Sequence, residues 1–273
     1  MADRYAPIGV FDSGVGGLTV AREIMRQLPN ESIEYFGDTA RVPYGTKSRA
    51  TVTRYSKQII RFLQTKNVKA IVVACNTASA YALEEIEPQL DIPIIGVVKP
   101  GAVEAAATTQ NNKIGVIGTQ ATIGSGIYTQ TIHKIRDDIE VMGKACPLLV
   151  SLVEEGWLHD RITDQVIIRY LAPFFDAGVD TLIMGCTHYP LLRTAFRKIL
   201  GDEVKLVNPA YETAKELGIL LNKLNLNNDG ALSDKKPTYE YYVSDAASRF
   251  MDFADSILPF DVRNVSIVPI EDY

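Results

Sequence analysis

No run of roughly 18 or more apolar residues occurs in the 273-residue sequence, so no segment reads as a membrane-spanning helix. Positive charge is not in excess either. Lys and Arg number 28 against 33 Asp and Glu, the net charge is -5, and the bases are scattered among acids. That pattern gives no field for a polyanion and argues against nucleic acid as a partner. Cysteine is scarce: Cys75, Cys146 and Cys186 are an odd set for a disulfide framework and too few for a four-ligand zinc site without histidine. His133, His159 and His188 form no cluster, and no C-x-x-C occurs. The opening "MADRYAPIGVFDSG" enters a strand-like run at once, with no signal-peptide hydrophobic region. Together these features predict a cytoplasmic protein with free thiols.

What is present is a regular alternation. Short runs rich in Val and Ile, such as "IGVF", "IEYF", "KAIVVA", "PIIGVV", "KIGVIG", "IEVMG", "TLIMG", "VKLVN" and "YEYYV", alternate with longer helical patterns. The helical patterns include "LTVAREIMRQL", "ATVTRYSKQIIRFLQ", "ITDQVIIRYLAPFF" and "YETAKELGILLNKL". Buried parallel strands read in this way, so the expected class is α/β with mostly parallel sheets covered on both faces. The polar stretch "NLNNDGALSDKKP" reads as an exposed loop.

The chain also repeats itself. "IGVFDSG" from Ile8 resembles "IGVIGTQ" from Ile114, 106 residues on, and "VKAIVVACNT" from Val68 resembles "VDTLIMGCTH" from Val179, 111 residues on. Two similar domains explain this economically, each with a first strand ending in a small polar turn and a later strand ending in Cys-x-Thr. In open α/β sheets ligands bind beyond the carboxyl ends of strands. If the two domains face each other across a cleft, a small ligand between them meets one thiol on each side. Asn76, Thr77 and Ser79 after Cys75, and Thr187 and His188 after Cys186, predict a helix opening just beyond each thiol. A helix N-terminus lowers a thiol pKa from roughly 8.5 toward neutrality. Thiolate on one face and thiol on the other suit inversion of a carbon centre, where one group removes a proton and the other delivers one.

Alternatives accompany each of these readings. A strand-end Cys is ordinarily a small buried hydrophobe, and Asp12 with Ser13 could merely cap the helix near Leu18. "DSGVGG" lacks both dinucleotide and P-loop spacing. "VPYGT" has the make-up of a simple turn, Glu154 that of a solvated helix-end carboxylate, and His188 that of a structural donor. Cys146 precedes Pro147, has no polar motif around it, and is assigned no role. A bilobal binding module is a further alternative, in which matched thiols have no purpose.

"GVFDSGVGGLTV", "GDTARVPYG", "VVACNTASA", "LVEEGW" and "MGCTHYPLL" resemble, in order and spacing, the glutamate racemases of the cofactor-independent aspartate/glutamate racemase superfamily. The resemblance spans nearly the whole chain. It implies two α/β domains related by a pseudo-twofold axis, residues 1–98 with 209–273 and residues 99–208, with crossovers near "VKPGA" and "VNPAY" and the active site between them. It implies Cys75 and Cys186 as the catalytic pair and Asp12, His188 and Glu154 as auxiliary acid–base groups. Substrate contacts would come from Asp12, Ser13, Pro43, Tyr44, Gly45, Asn76, Thr77, Thr119, Thr122, Thr187 and His188. It further implies L- and D-glutamate as substrates, no cofactor or metal, a homodimer, and supply of D-glutamate for bacterial peptidoglycan. Aspartate racemase or another amino-acid racemase of the superfamily is the nearest rival.

Overall fold

A computed structural model describes residues 3–230 and 236–273. Its described strands form two sheets, and every strand pair in them is parallel. The first contains β1 (Ile8–Asp12), β2 (Ile33–Gly37), β3 (Ala70–Val73), β4 (Ile94–Gly96), β9 (Tyr239–Val243) and β10 (Val265–Ile267), in the order β10-β9-β2-β1-β3-β4. The second contains β5 (Lys113–Gly118), β6 (Glu140–Ala145), β7 (Thr181–Gly185) and β8 (Lys205–Val207), in the order β6-β5-β7-β8. Numbered within each sheet, both share the order 2-1-3-4, the structural counterpart of the sequence repeat. This order places a crevice between the loops that follow the first and third strands, because the chain winds in opposite directions from that point.

Both faces of each sheet are buried, which is why the strands read as near-continuous apolar runs. Along β3, Ala70 and Val72 enter one core cluster while Ile71 and Val73 enter another; along β7, Leu182 and Met184 part from Ile183 in the same way. Each sheet is therefore the middle layer of three.

Two helices join the sheets. The stretch "VKPGA" lies inside the helix Val98–Thr108, whose Pro100 is tolerated because its missing N–H falls in the first turn. Ala102, Ala105 and Ala106 of that helix pack under the second sheet. The helix Pro209–Lys223 returns the chain and packs Ala210, Ala214, Leu217 and Leu221 against the first sheet.

The loop expected at 225–237 lies partly outside the described residues, and its described beginning is not free in solvent. The Asn228 amide donates to Glu31 at 2.8 Å, and Arg4 donates to the Asn227 carbonyl at 3.1 Å. Glu31 pairs in turn with Lys69, whose side chain is fully buried. Breaking a buried pair from one side leaves an uncompensated charge. Glu31→Gln is therefore expected to lower stability by about 3 kcal/mol, read as a lower urea midpoint at unchanged slope; an unshifted midpoint would show that the pair is not needed.

Candidate active site

Cys75 stands two residues past Val73, the last residue of β3, and Cys186 immediately after β7. They occupy equivalent crevices of the two sheets and line one cavity of about 260 Å³. Around them the cavity brings together Ser13, Pro43, Tyr44, Gly45, Asn76, Thr77, Thr119, Glu154, Thr187 and His188. Asp12 and Thr122 do not line it. Asp12 is fully buried beneath the wall, accepting from the Gly14 N–H at 3.0 Å and the Thr187 hydroxyl at 3.5 Å. Thr122 sits behind Thr77 and Thr119, at 3.3 and 3.0 Å.

The cavity also has walls that the sequence did not announce: Val15, Val42, Thr46, Gln120, Pro147, Val150 and Ser151. Val150 and Ser151 precede Glu154 by one helical turn on the helix Leu148–Glu154, so its spacing carried a usable signal. Nothing local marks Gln120 or Pro147.

The glycines of "DSGVGG" answer to close approach. A Cβ on Gly16 would come within 2.6 Å of the His188 ring and meet the Thr187 hydroxyl. Gly45 similarly faces Thr119, at 2.6 Å from its Cβ. Both contacts join residues of the first sheet's loops to those of the second.

The two thiols sit in unlike surroundings. Cys75 caps the helix Asn76–Tyr81, its sulfur accepting from the Ala78 N–H at 3.5 Å. The expected fall in its pKa does not occur. Burial is the larger effect and the negative charge of Asp12 adds to it, so the thiol is pushed up to about 12 despite the Ala78 and Ser13 hydrogen bonds. Beyond Cys186 the expected helix opening is absent: a 3-10 turn, Tyr189–Leu192, begins three residues later. Tyr189 locks that turn by donating to the carbonyls of Cys146 at 2.9 Å and Gly118 at 3.2 Å.

In place of a helix, Cys186 has an imidazole. His188 Nδ1 lies 3.8 Å from the sulfur and His188 Nε2 lies 3.1 Å from Glu154 Oε1. Burial alone would lower the His188 pKa, but Cys186, Glu154 and Asp12 outweigh it and hold it up at about 10. Glu154 is lowered chiefly by its hydrogen bond to His188, against the opposing effect of burial. Burial raises Asp12, and the charge of His188 and the N–H groups of Gly14, Gly17 and Ser13 only partly offset that. Cys146 is buried, its sulfur donates to the Lys144 carbonyl at 3.5 Å, and burial raises it to about 12.

The model for Asp/Glu/Hydantoin racemases matches residues 8–217. The chain belongs to the Asp/Glu/hydantoin racemase family. Within this racemase family the chain is 47% identical to a glutamate racemase of Geobacter metallireducens over 267 residues, 98% of each chain. It is similar to a glutamate racemase isoform of Bacillus anthracis, with a TM-score of 0.93, 41% identity, and coverage of 97% of this chain and 98% of that one. It is also similar to the glutamate racemase of Francisella tularensis crystallised with D-glutamate, with a TM-score of 0.91, 42% identity, and coverage of 99% and 100%.

The Glu154–His188 contact carries a pH prediction for this racemase. Glu154 is one of the anions that raise His188, so Glu154→Gln must lower the imidazole pKa. The alkaline limb of kcat/KM should move to lower pH. A limb that stays in place would assign the high-pH loss to a group other than His188.

Proposed function

We propose that the protein is a glutamate racemase that interconverts L- and D-glutamate with Cys75 and Cys186 as its two acid–base groups. The observation that carries this is the pair of thiols at equivalent strand ends of two like sheets, both opening on one small cavity. On this reading Cys75 removes the α-proton of D-glutamate while Cys186 protonates the opposite face, and the roles exchange for L-glutamate. Racemisation is symmetric in energy, and a pair of like acids suits it. The high pKa of Cys75 helps in one respect: its thiolate, once formed, is a stronger base toward a weakly acidic carbon.

The surrounding groups divide the remaining work. Asn76, Thr77, Thr119 and Thr187, with Ser13 and the Pro43–Tyr44–Gly45 turn, supply hydroxyl and N–H donors for two carboxylates and the charge that develops at the α-carbon, and Thr122 supports Thr77 and Thr119 from behind. His188, held by Glu154, serves Cys186; Asp12 serves Cys75 or the substrate ammonium. The lobes are residues 1–98 with 209–273, and 99–208. No pyridoxal phosphate or metal takes part in this scheme. Among the described residues no helix is long and apolar enough to cross a membrane. We take the enzyme to be a cytoplasmic homodimer supplying D-glutamate for peptidoglycan.

Circular dichroism tests the reading directly. Either enantiomer of glutamate incubated with cofactor-free protein should lose its signal, and L-aspartate should keep it. Loss of the aspartate signal alone would assign the rival substrate, and no loss with either would remove the racemase reading.

A further inference from the structure

Asn76 is held from across the cleft. The Tyr128 phenol, on the helix Ile127–His133 of the second lobe, donates to Asn76 Oδ1 of the first lobe at 2.7 Å. Tyr128 is 3% exposed, and its ring lies so close to β7 that a Cβ on Gly185 would come within 3.2 Å of it. Burial raises the phenol pKa, so the hydroxyl keeps its proton and stays a donor. With the amide oxygen occupied in this way, the amide nitrogen is the end left over. Among the described residues it has no hydrogen-bond partner, and Asn76 lines the cavity.

The other lobe has a matching device. Thr19, in the helix between the first and second strands of its lobe, donates to the Thr187 carbonyl at 2.9 Å. Tyr128 occupies the corresponding segment of its own lobe. Each therefore reaches over to the residue that directly follows the opposite thiol, Thr187 after Cys186 and Asn76 after Cys75. Only the Tyr128 bond fixes a side chain, and an amide has two chemically opposite faces. Turned one way Asn76 offers a carboxylate a donor; turned the other way it offers a repelling oxygen.

We infer that Tyr128 is a positioning residue that sets the orientation of the Asn76 amide, so that its N–H₂ group faces the cavity and donates to a substrate carboxylate. The inference rests on the reading of Asn76 as a substrate contact. It also joins substrate affinity to the seating of the two lobes, since the phenol reaches Asn76 only while they are together.

Steady-state kinetics of five proteins tests it: wild type, Tyr128→Phe, Asn76→Ala, Asn76→Asp, and the Tyr128→Phe/Asn76→Ala double variant. Tyr128→Phe keeps the ring and its packing. It should raise KM for both enantiomers by about tenfold, the loss of one well-aimed hydrogen bond to a charged group, with kcat little changed. In the Asn76→Ala background it should raise KM no further, because its effect passes through the missing amide. Asn76→Asp should raise KM more than Asn76→Ala does, since an acceptor then faces the carboxylate. That comparison needs only the native Tyr128 and stands even if Tyr128→Phe folds poorly. An unchanged KM in folded Tyr128→Phe, an additive double variant, or Asp tolerated better than Ala overturns the inference alone. Absence of racemisation by the wild type would overturn the racemase reading, and this inference with it.

Discussion

Cys75→Ala and Cys186→Ala are each expected to lower glutamate racemisation by on the order of 10²–10⁴-fold, the usual worth of a positioned acid–base group. Inversion needs a proton removed from one face and another delivered to the opposite face, so one thiol cannot stand in for two. Both sulfurs are buried, and removing either also removes a packed atom, so loss of activity must be separated from loss of fold. Thermal melting of each variant supplies that separation. Cys146→Ala is the internal control: an equally buried thiol, bonded to the Lys144 carbonyl, whose removal should leave turnover close to wild type. Near-wild-type turnover in folded Cys75→Ala would refute the two-thiol scheme.

The sequence showed the thiols and missed their environment, and the difference has a physical cause. Strand-end position is a local property. The Val/Ile runs before Cys75 and Cys186 are buried on both faces, so both the strands and the repeat could be read. A thiol's pKa instead depends on what the rest of the chain brings near it. The helix that begins at Asn76 was visible in the sequence; the full burial of Cys75 and the charge of Asp12 were not, and they win. Pairings across the cleft were equally invisible: Tyr128 with Asn76, or Gly16 under His188 and Thr187, join residues 52 or more positions apart. β10 escaped notice because its three residues lie at the sheet edge and are mostly exposed, leaving no apolar run.

Asp12→Asn sets two effects of opposite sign against each other. The Asp12 charge helps to hold the proton on Cys75. If that were its whole influence, neutralising it would free thiolate and raise activity. Asp12, however, is itself raised by burial and so is a readier proton acceptor than an exposed carboxylate. If it takes the Cys75 proton, Asp12→Asn leaves the thiol with no outlet, and kcat/KM should fall by about 10²-fold. At Cys186 the corresponding group is His188, 3.8 Å from the sulfur. The enantiomers have equal energy in water, so kcat/KM stays equal in the two directions for every variant and cannot reveal which thiol was disabled. A primary deuterium isotope effect on kcat/KM, measured with α-deuterated substrate of each hand, can. Asp12→Asn should raise it more for D-glutamate, whose proton Cys75 removes, and His188→Asn more for L-glutamate. Equal changes for both hands would mean that these groups only bind or orient the substrate, and a rise in kcat/KM for Asp12→Asn would leave Asp12 as nothing more than a charge that holds the Cys75 proton in place.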